Sequence, residues 1–507
     1  MRERGEVLGR ERQARQDDPG HADSFSRGAR PPYGALLGVR RVEPVSTPST
    51  PVTDPTLHDR ALAHAHDLAT FVEASPSSYH AAHEVARRLE AVGFERLDET
   101  AAWPSMTEGD GPAGGRYVVV RDGAVIAWAV PAGATATTPF AILGAHTDSP
   151  GFKLKPRPSV GREGWWQAGV EIYGGPLLNS WLDRELELAG RLVTADGEEH
   201  LVRTGPLLRI PQLAIHLDRA ANDGLTLDKQ QHTQPVWGLA SASGPAGSDV
   251  AGAPHGTSGG DVLAELAHHA GVRASEIAGY DVVVADTQSP RVFGAHGAFL
   301  ASGRLDNLLS VHAGLVALLE VAGTPDRPVE GAAIPVLAAF DHEEIGSESR
   351  SGASGPFLAD VLARVAAGLG ATEEERHRQL AGSLCVSSDV GHSVHPNYPE
   401  RHDPANRPLA GGGPILKINA NQRYTTDAHG AAAWARACAR AGVPSQEFVS
   451  KNTVPCGSTI GPLTATRLGI RTVDVGVPIL SMHSARELTA VVDPWYLSRA
   501  VLKIFQG

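Results

Sequence analysis

An Asp-His-Glu-Glu run at residues 341–344 is the segment of this sequence best suited to chemistry. It follows residues 332–340, an uninterrupted apolar stretch that predicts a buried strand. In open α/β sheets, ligands bind beyond the carboxyl ends of the strands. Carboxylates placed there lose solvation energy unless a cation or a reaction uses them. The run therefore predicts a catalytic or cation-binding site, with a solvated acidic loop as the alternative.

The same arrangement, an apolar stretch followed by a possible metal ligand, recurs elsewhere in the chain. The residues concerned are His146 with Asp148, Asp306, Asp389 and His483. Because parallel strands bring their carboxyl ends to one edge of a sheet, these side chains are predicted to converge with Glu343 and Glu344.

Two imidazoles and several carboxylates in one place suit a two-metal hydrolytic site. Such ligands favour zinc, cobalt or manganese over calcium. Two ions about 3.5–4 Å apart can share a water and lower its pKa, while a carboxylate that is not a ligand takes the proton. The adjacent Glu343 and Glu344 offer this division of labour, one as ligand and the other as general base.

Each candidate also has a simpler explanation when it is considered alone. His146 could be an ordinary hydrogen-bonded histidine, and Asp148 could cap the turn before Pro150. Asp306 could be the N-cap of the helix that follows it, and Asp389 could cap a turn. A loop position would explain His483. Together these explanations are weak, since each must hold at the end of an apolar stretch.

The composition of the chain limits the classes of function. Its 507 residues are 42% hydrophobic and 20% charged, which indicates a globular protein with two domains or one large insertion. A formal net charge of −12 argues against nucleic acid or an anionic membrane as partner. Three separated cysteines predict no disulfide framework and favour a cytoplasmic location. We expect neither a membrane span nor a signal peptide, because no sufficiently long apolar run is present.

The N-terminal segment differs from the rest of the chain. Residues 1–53 are rich in Arg, Asp, Glu, Gly and Pro, show no apolar period, and are predicted to form a disordered tail. Ordered structure is predicted from about residue 54, with helical periodicity at 59–73, 78–92 and 428–441.

The middle of the chain is predicted to be a β-rich insertion. Residues 158–299 show short strands and turns, with a long Gly/Ser/Pro-rich loop at 241–260. Alternating helix and strand patterns lie on both sides of it. The predicted organisation is therefore a discontinuous α/β domain of residues 54–157 and 300–507, interrupted by the insertion.

Five segments also carry a resemblance to a known family. They are residues 145–152, 302–307, 341–347, 388–398 and 481–487. They resemble the signature motifs of the M18 family metallopeptidases, most closely of the aspartyl aminopeptidase type. The resemblance implies a mixed-sheet α/β/α sandwich with an inserted oligomerisation domain. It also implies a zinc aminopeptidase that removes acidic N-terminal residues from peptides.

The resemblance implies a role at the metal centre for each candidate. One ion would be held by His146 and Asp389, the other by Glu344 and His483, with Asp306 between them. Glu343 would be the general base, and Asp148 would orient the imidazole of His146. The nearby His392 and His395 are predicted to be turn residues without a role in the centre.

The resemblance also implies how substrate is bound. Lys417 would bind the acidic side chain, with Arg423 or Tyr424 beside it, and backbone amides of residues 455–461 could hold a carboxylate or an oxyanion. His216 would reach the active site of a neighbouring subunit in a tetrahedral dodecamer. Two alternatives stay open: a related metallohydrolase that prefers neutral residues, and a self-assembling shell protein that has lost catalysis.

Overall fold

The computed structural model describes residues 55–106, 115–240, 260–323 and 332–507. Within this part the chain forms nine α-helices and twenty strands, arranged in three sheets. The tail predicted at residues 1–53 and nearly all of the loop predicted at 241–260 lie outside the described residues.

Several helices begin and end at capping residues that can be recognised in the sequence. The helices are α1 (Pro55–Ala74), α2 (Ser78–Glu90), α3 (Val262–Ala270), α4 (Leu305–Ala322), α5 (Phe357–Gly368), α6 (Glu373–Gly382), α7 (Ala428–Ala441), α8 (Ile460–Leu468) and α9 (Val492–Phe505). The Asp427 side chain caps α7 by accepting from the Gly430 amide at 2.6 Å, and Gly442 ends it in the left-handed region. The helix predicted at 428–441 is thereby confirmed.

The strands form one large mixed sheet, one antiparallel sheet and one small sheet. They are β1 (Glu95–Arg96), β2 (Arg116–Arg121), β3 (Ala124–Ala129), β4 (Phe140–His146), β5 (Gly151–Arg162), β6 (Trp165–Tyr173), β7 (Leu186–Thr194), β8 (Glu199–Arg203), β9 (Val236–Leu239), β10 (Ile277–Asp286), β11 (Arg291–Phe293), β12 (Phe299–Ser302), β13 (Ile334–Phe340), β14 (Leu384–Ser388), β15 (Gly391–His392), β16 (Ile415–Lys417), β17 (Gln446–Phe448), β18 (Arg471–Gly476), β19 (Pro478–Leu480) and β20 (Glu487–Ala490). The small sheet has the order β11-β12-β20-β19-β15.

The nine-stranded sheet lies between two layers of helices. Its order is β1-β2-β3-β13-β4-β14-β18-β16-β17, with β13, β4, β14 and β18 parallel in the centre. Phe140 and Ile142 of β4 pack in the core that contains α5, α6 and α8, whereas Leu143 packs in the core that contains α1, α2, α4, α7 and α9. Alternate side chains of this buried strand thus face opposite layers. The predicted α/β fold with a mixed sheet is confirmed.

The six-stranded sheet is formed by residues between 151 and 286. Its order is β8-β7-β10-β5-β6-β9, every pair is antiparallel, and it has its own core around Phe152, Trp181 and Leu188. The predicted β-rich pattern is present, and two of the strands are long, since β5 has 12 residues and β10 has 10. Prolines interrupt the pattern of β5, but the strand continues through an irregularity in its pairing with β6. The division of the chain into domains stays a prediction.

Helix α4 begins at the end of β12 and forms the centre of one helical layer. By length and composition it could cross a membrane, and it is the one such helix among the described residues. In the structure, 78% of that segment is buried, and it packs against α9 and the large sheet. Its apolar character is therefore explained by its position in the protein core.

Candidate metal centre and active site

Three adjacent parallel strands bring predicted site residues to one edge of the large sheet. His146 is the last residue of β4 and pairs with Phe340 of β13. Glu343 and Glu344 begin the short 3-10 turn that follows β13, and Asp389 follows β14. Since β13, β4 and β14 are neighbours, these side chains meet.

Asp306 lies at the middle of the cluster. Its Oδ1 is 3.2 Å from Nε2 of His146, and its Oδ2 is 3.5 Å from Nε2 of His483. Nε2 of His146 is also 3.6 Å from Oδ1 of Asp389, and Nε2 of His483 is 3.5 Å from Oε2 of Glu344. The cluster therefore has two halves, which share one carboxylate.

The donor set fits metal ions. Ligand atoms about 2.0–2.2 Å from a tetrahedral zinc lie about 3.3–3.6 Å from one another, close to the separations in both halves of the cluster. Oδ1 of Asp306 and Oε1 of Glu344 are buried and have no hydrogen-bond partner among the described residues. Buried carboxylate oxygens without partners are costly, and a bound cation would remove that cost. In the described structure, three sets of three side chains bring their ligand atoms within 4.8 Å of one another, as a metal site requires. The members of these sets are His146, Asp306, Glu343, Glu344, Asp389 and His483.

Electrostatics also indicate that the centre favours positive charge. Burial alone lowers the pKa of His146, but the nearby carboxylates of Asp148, Asp306 and Asp389 outweigh it and raise the pKa well above normal. Burial likewise opposes a charge on His483, but the nearby carboxylate of Asp306 raises the pKa of this imidazole to about 9. Burial and the charge of Asp306 raise the pKa of Glu344 well above its ordinary value. Without a cation, the cluster has more negative charge than it can solvate.

Asp148 does more than cap a turn. Its carboxylate accepts hydrogen bonds from the amides of Glu343, at 3.0 Å, and Glu344, at 3.1 Å. Its carbonyl oxygen lies 3.1 Å from Nδ1 of His146 and its Oδ1 lies 3.4 Å from the same nitrogen. Both neighbours can only accept when the carboxylate is charged, so Nδ1 carries a proton, and Nε2, which faces Asp306 and Asp389, is the nitrogen available to a metal ion.

Glu343 and Glu344 differ in their surroundings. The Glu343 side chain is 17% exposed and its Oε2 lies 3.9 Å from Nε2 of His146, whereas the Glu344 side chain is 5% exposed. The pKa of Glu343 is raised to about 7, and burial is the largest cause. The charges of Asp389 and Asp306 also raise this pKa, whereas the charge of His146 partly opposes the increase. A carboxylate with this pKa can both accept and release a proton near neutral pH.

Asp306 is not the N-cap that its sequence position allows. Its carboxylate faces His146 and His483 rather than the amides at the start of the helix. The Asp306 amide donates to Oε2 of Glu487 at 2.9 Å, and the His483 amide donates to Oε1 of Glu487 at 2.8 Å. This buried Glu487 was not predicted to be a site residue, although it closes the motif at residues 481–487. It fixes two of the loops that carry the cluster.

Lys417 is buried between Asp389 of the cluster and Tyr424, which lines a cavity. The residue is 2% exposed, and its Nζ donates to the Val390 carbonyl at 2.9 Å and lies 3.5 Å from Oδ2 of Asp389. The ring centroid of Tyr424 is 5.4 Å from that Nζ. Tyr424, Met482 and His392 line the cavity, whose volume is about 280 Å³. His392, for which no role was predicted, thus borders the same space, and its place three residues after Asp389 is the signal that could have found it.

Two predicted substrate residues lie apart from this cavity wall. Arg423 is exposed and does not line the cavity. By contrast, Pro455 and Gly457 of the loop at residues 455–461 do border it. His216 is exposed on the segment between β8 and β9. Across the described ranges, no hydrogen bond or ion pair joins His216 to the cluster, so a role for it would need a second subunit.

An α/β/α sandwich with a shared His and carboxylate cluster at the carboxyl edge of its sheet is typical of metal-dependent hydrolases. The family model described as aminopeptidase I zinc metalloprotease (M18) matches residues 71–505. The chain therefore belongs to the M18 family of zinc metallo-aminopeptidases. The resemblance found in the five sequence motifs is confirmed.

Relatives and solved structures agree with this assignment. The chain is 54% identical over 458 residues to a protein of Streptomyces avermitilis described as a probable M18 family aminopeptidase 2, covering 90% of this chain and 100% of the relative. It is similar to a chain in the cryo-EM structure of the Ape4 and Nbr1 complex, with a TM-score of 0.81, 35% identity, and coverage of 89% and 86%. It is also similar to the S. cerevisiae mApe1 dodecamer, with a TM-score of 0.74, 29% identity, and coverage of 88% and 97%.

Proposed function

We propose that this aminopeptidase uses two divalent ions to remove Asp and Glu from the N-termini of peptides, with Glu343 as the general base. The observation that carries the proposal is the position of Asp306. Its two carboxylate oxygens lie 3.2 and 3.5 Å from two different histidines. A carboxylate that faces two imidazoles in this way is suited to bridging two ions.

The ligands divide into two sets around this carboxylate. His146 and Asp389 would hold one ion, Glu344 and His483 would hold the other, and Asp306 would contribute to both. Zinc fits this set, and cobalt or manganese would also fit. Ions bound here would supply Lewis acidity toward a carbonyl oxygen and toward water.

Glu343 is best placed to move protons. Its carboxylate is less buried than that of Glu344 and lies at the edge of the cluster. It would take a proton from the attacking water and deliver it to the departing amine. The carboxylates of the cluster would also attract the protonated amino group of a peptide, which favours action at chain ends.

Lys417 supports a preference for acidic side chains. It is buried beside the cluster and its only charged partner in the described structure is Asp389, at 3.5 Å. An ammonium group has three donor hydrogens, so with one carbonyl and one distant carboxylate as partners it retains donor capacity for a substrate carboxylate. Tyr424 would pack against that side chain. The rival within this class is a preference for neutral residues.

The segment around His216 supports assembly into an oligomer. Leu213, Ile215 and Leu217 are 56%, 46% and 76% exposed, which is unusual for three large apolar side chains in five residues. We propose a homo-oligomer, with the tetrahedral dodecamer as its form, in which His216 reaches the site of the next subunit. A cytoplasmic location is part of this proposal.

An N-terminal residue panel tests the proposed function. Hydrolysis of Asp-, Glu- and Leu-p-nitroanilide would be measured with and without a chelator, and metal content would be measured on the same sample. Chelator-sensitive activity with preference for Asp and Glu supports the proposal. Faster cleavage of the Leu substrate would favour the neutral-residue enzyme. No activity with far fewer than two ions per chain would favour a shell protein that has lost catalysis.

A further inference from the structure

One short segment of the six-stranded sheet touches both halves of the metal centre. It begins at Tyr173, the last residue of β6, and continues through two glycines toward Ser180. The segment belongs to a different sheet from the one that carries His146, Glu344 and Asp389. Its contacts therefore join two separately formed parts of the fold.

Tyr173 completes the hydrogen bonding of Asp148. Its hydroxyl donates to Oδ2 of Asp148 at 2.8 Å, the oxygen that also accepts from the Glu344 amide at 3.1 Å. The other oxygen accepts from the Glu343 amide and faces His146. Tyr173 is thus the one donor to this carboxylate, in the described structure, that comes from the six-stranded sheet. It holds the orientation in which Asp148 can order both glutamates and one histidine.

The two glycines that follow approach the other half of the centre. Gly174 has a φ of +67°, and a Cβ added to it would lie 3.1 Å from Cβ of Glu344. The Gly175 carbonyl oxygen is 3.0 Å from Nδ1 of His483. Because a carbonyl oxygen only accepts, Nδ1 of His483 carries a proton, and Nε2, which faces Asp306 and Glu344, is the nitrogen available to a metal ion.

Further bonds fix the His483 loop to the same segment. The Leu177 amide donates to the His483 carbonyl at 2.9 Å, and the Ala485 amide donates to Oγ of Ser180 at 2.9 Å. His483 itself has a φ of +66°, a conformation that a non-glycine residue keeps only when its surroundings enforce it. The segment at residues 173–180 supplies part of that enforcement.

We propose that Tyr173 and the backbone of residues 174–180 are positioning groups for the metal centre, through which the six-stranded sheet sets the orientation of both histidine ligands. Tyr173 acts through Asp148 on His146, and Gly175 acts directly on His483. The inference rests on the proposed two-ion function, and it adds that metal affinity depends on contacts made by a second sheet.

Tyr173→Phe tests the first of these contacts. It removes one hydroxyl and leaves the ring, so Asp148 loses a donor while packing is kept. Loss of a direct hydrogen-bonding partner of a metal ligand typically lowers metal affinity by about 10- to 100-fold, and Tyr173 acts one bond further out, so the lower end of that range, about 10-fold, applies. We expect an increase of that size in the zinc dissociation constant of at least one site. The full-length chain would be stripped with a chelator and titrated with zinc against a chromophoric competitor.

Tyr280→Phe is the matched control. Tyr280 lies in β10 of the same sheet, and its hydroxyl donates to the Lys155 carbonyl at 2.7 Å, away from the metal centre. Both variants lose one tyrosine hydroxyl bond from one sheet. A general loosening of the sheet would therefore affect the two alike, whereas the proposal predicts unchanged zinc affinity in Tyr280→Phe.

Cobalt loading gives a second readout that is independent of turnover. The visible absorption of bound Co²⁺ reports ligand geometry, and we expect it to change in Tyr173→Phe and in Ser180→Ala, which loosens the His483 loop. Ser180→Ala leaves every strand intact and serves if Tyr173→Phe fails to fold. Zinc affinity within twofold of wild type in both variants, or an equal loss in Tyr280→Phe, overturns the inference. A wild-type protein that binds far fewer than two ions overturns the proposed function and the inference with it.

Discussion

Replacing Lys417 by Met separates recognition of an acidic substrate from catalysis in general. Methionine keeps a long, unbranched apolar stem and removes the ammonium group. Lys417 is 2% exposed, so water cannot readily substitute for the lost charge. The variant therefore removes the charge that is proposed to attract a substrate carboxylate, while leaving the metal ligands in place.

The size of the effect follows from the kind of bond removed. A hydrogen bond with charged partners contributes about 1.5–3 kcal/mol, which corresponds to about 10- to 150-fold in kcat/KM. Lys417 also lies 3.5 Å from Oδ2 of Asp389, so its loss should slow every substrate to some extent. That common effect cancels in the ratio of kcat/KM for Asp-p-nitroanilide to that for Leu-p-nitroanilide. We predict that this ratio falls by about 10- to 150-fold.

The control is Lys503→Met on α9. In the wild-type protein, Nζ of Lys503 donates to Oε1 of Gln506 at 2.9 Å, so this variant should leave the Asp-to-Leu ratio of kcat/KM unchanged. A ratio in Lys417→Met within threefold of wild type would refute the reasoning. Specificity for acidic residues would then have to come from another group, such as the amides of residues 455–461.

Three other predictions concern stability and reactivity. Chelation should lower the melting temperature, since an ion present at about 1,000 times its dissociation constant stabilises the fold by about 4 kcal/mol per site; an unchanged melting temperature would contradict the metal assignment. Burial raises the pKa of the Cys385 and Cys438 thiols to about 12, so at pH 8 a thiol reagent should label only Cys456 in the native protein and all three after unfolding. Phe357→Ala should destabilise the protein by about 3–5 kcal/mol in denaturant unfolding, because its ring is fully buried; a loss below about 1 kcal/mol would mean that the site repacks.

The strand-end residues could be predicted because two local signals coincide. An apolar stretch such as residues 332–340 indicates a buried strand, and a carboxylate or imidazole directly after it indicates the ligand edge of the sheet. That reasoning identified the two glutamates after β13 as partners with different tasks. Which glutamate is the ligand and which is the general base stayed open until the resemblance to the family assigned Glu344 and Glu343 to these roles.

Contacts between distant segments could not be predicted in the same way. Nothing local shows which groups Glu487 or Tyr173 contacts, because Asp306 and Asp148 lie in segments far away in the sequence. The length of β5 was also missed, since its prolines look like breaks until the irregular pairing with β6 is known. The features that depend on how the two larger sheets meet were therefore available only from the structure.

Metal content and turnover of Glu343→Gln test the central claim most directly. The amide keeps the size of the side chain but cannot take a proton, and general-base catalysis typically contributes about 10²- to 10⁴-fold. With Glu348→Gln on the exposed neighbouring segment as control, we predict about two ions per chain in both variants. We also predict a kcat at least about 100-fold lower in Glu343→Gln alone. Near-wild-type turnover in metal-loaded Glu343→Gln would contradict the account.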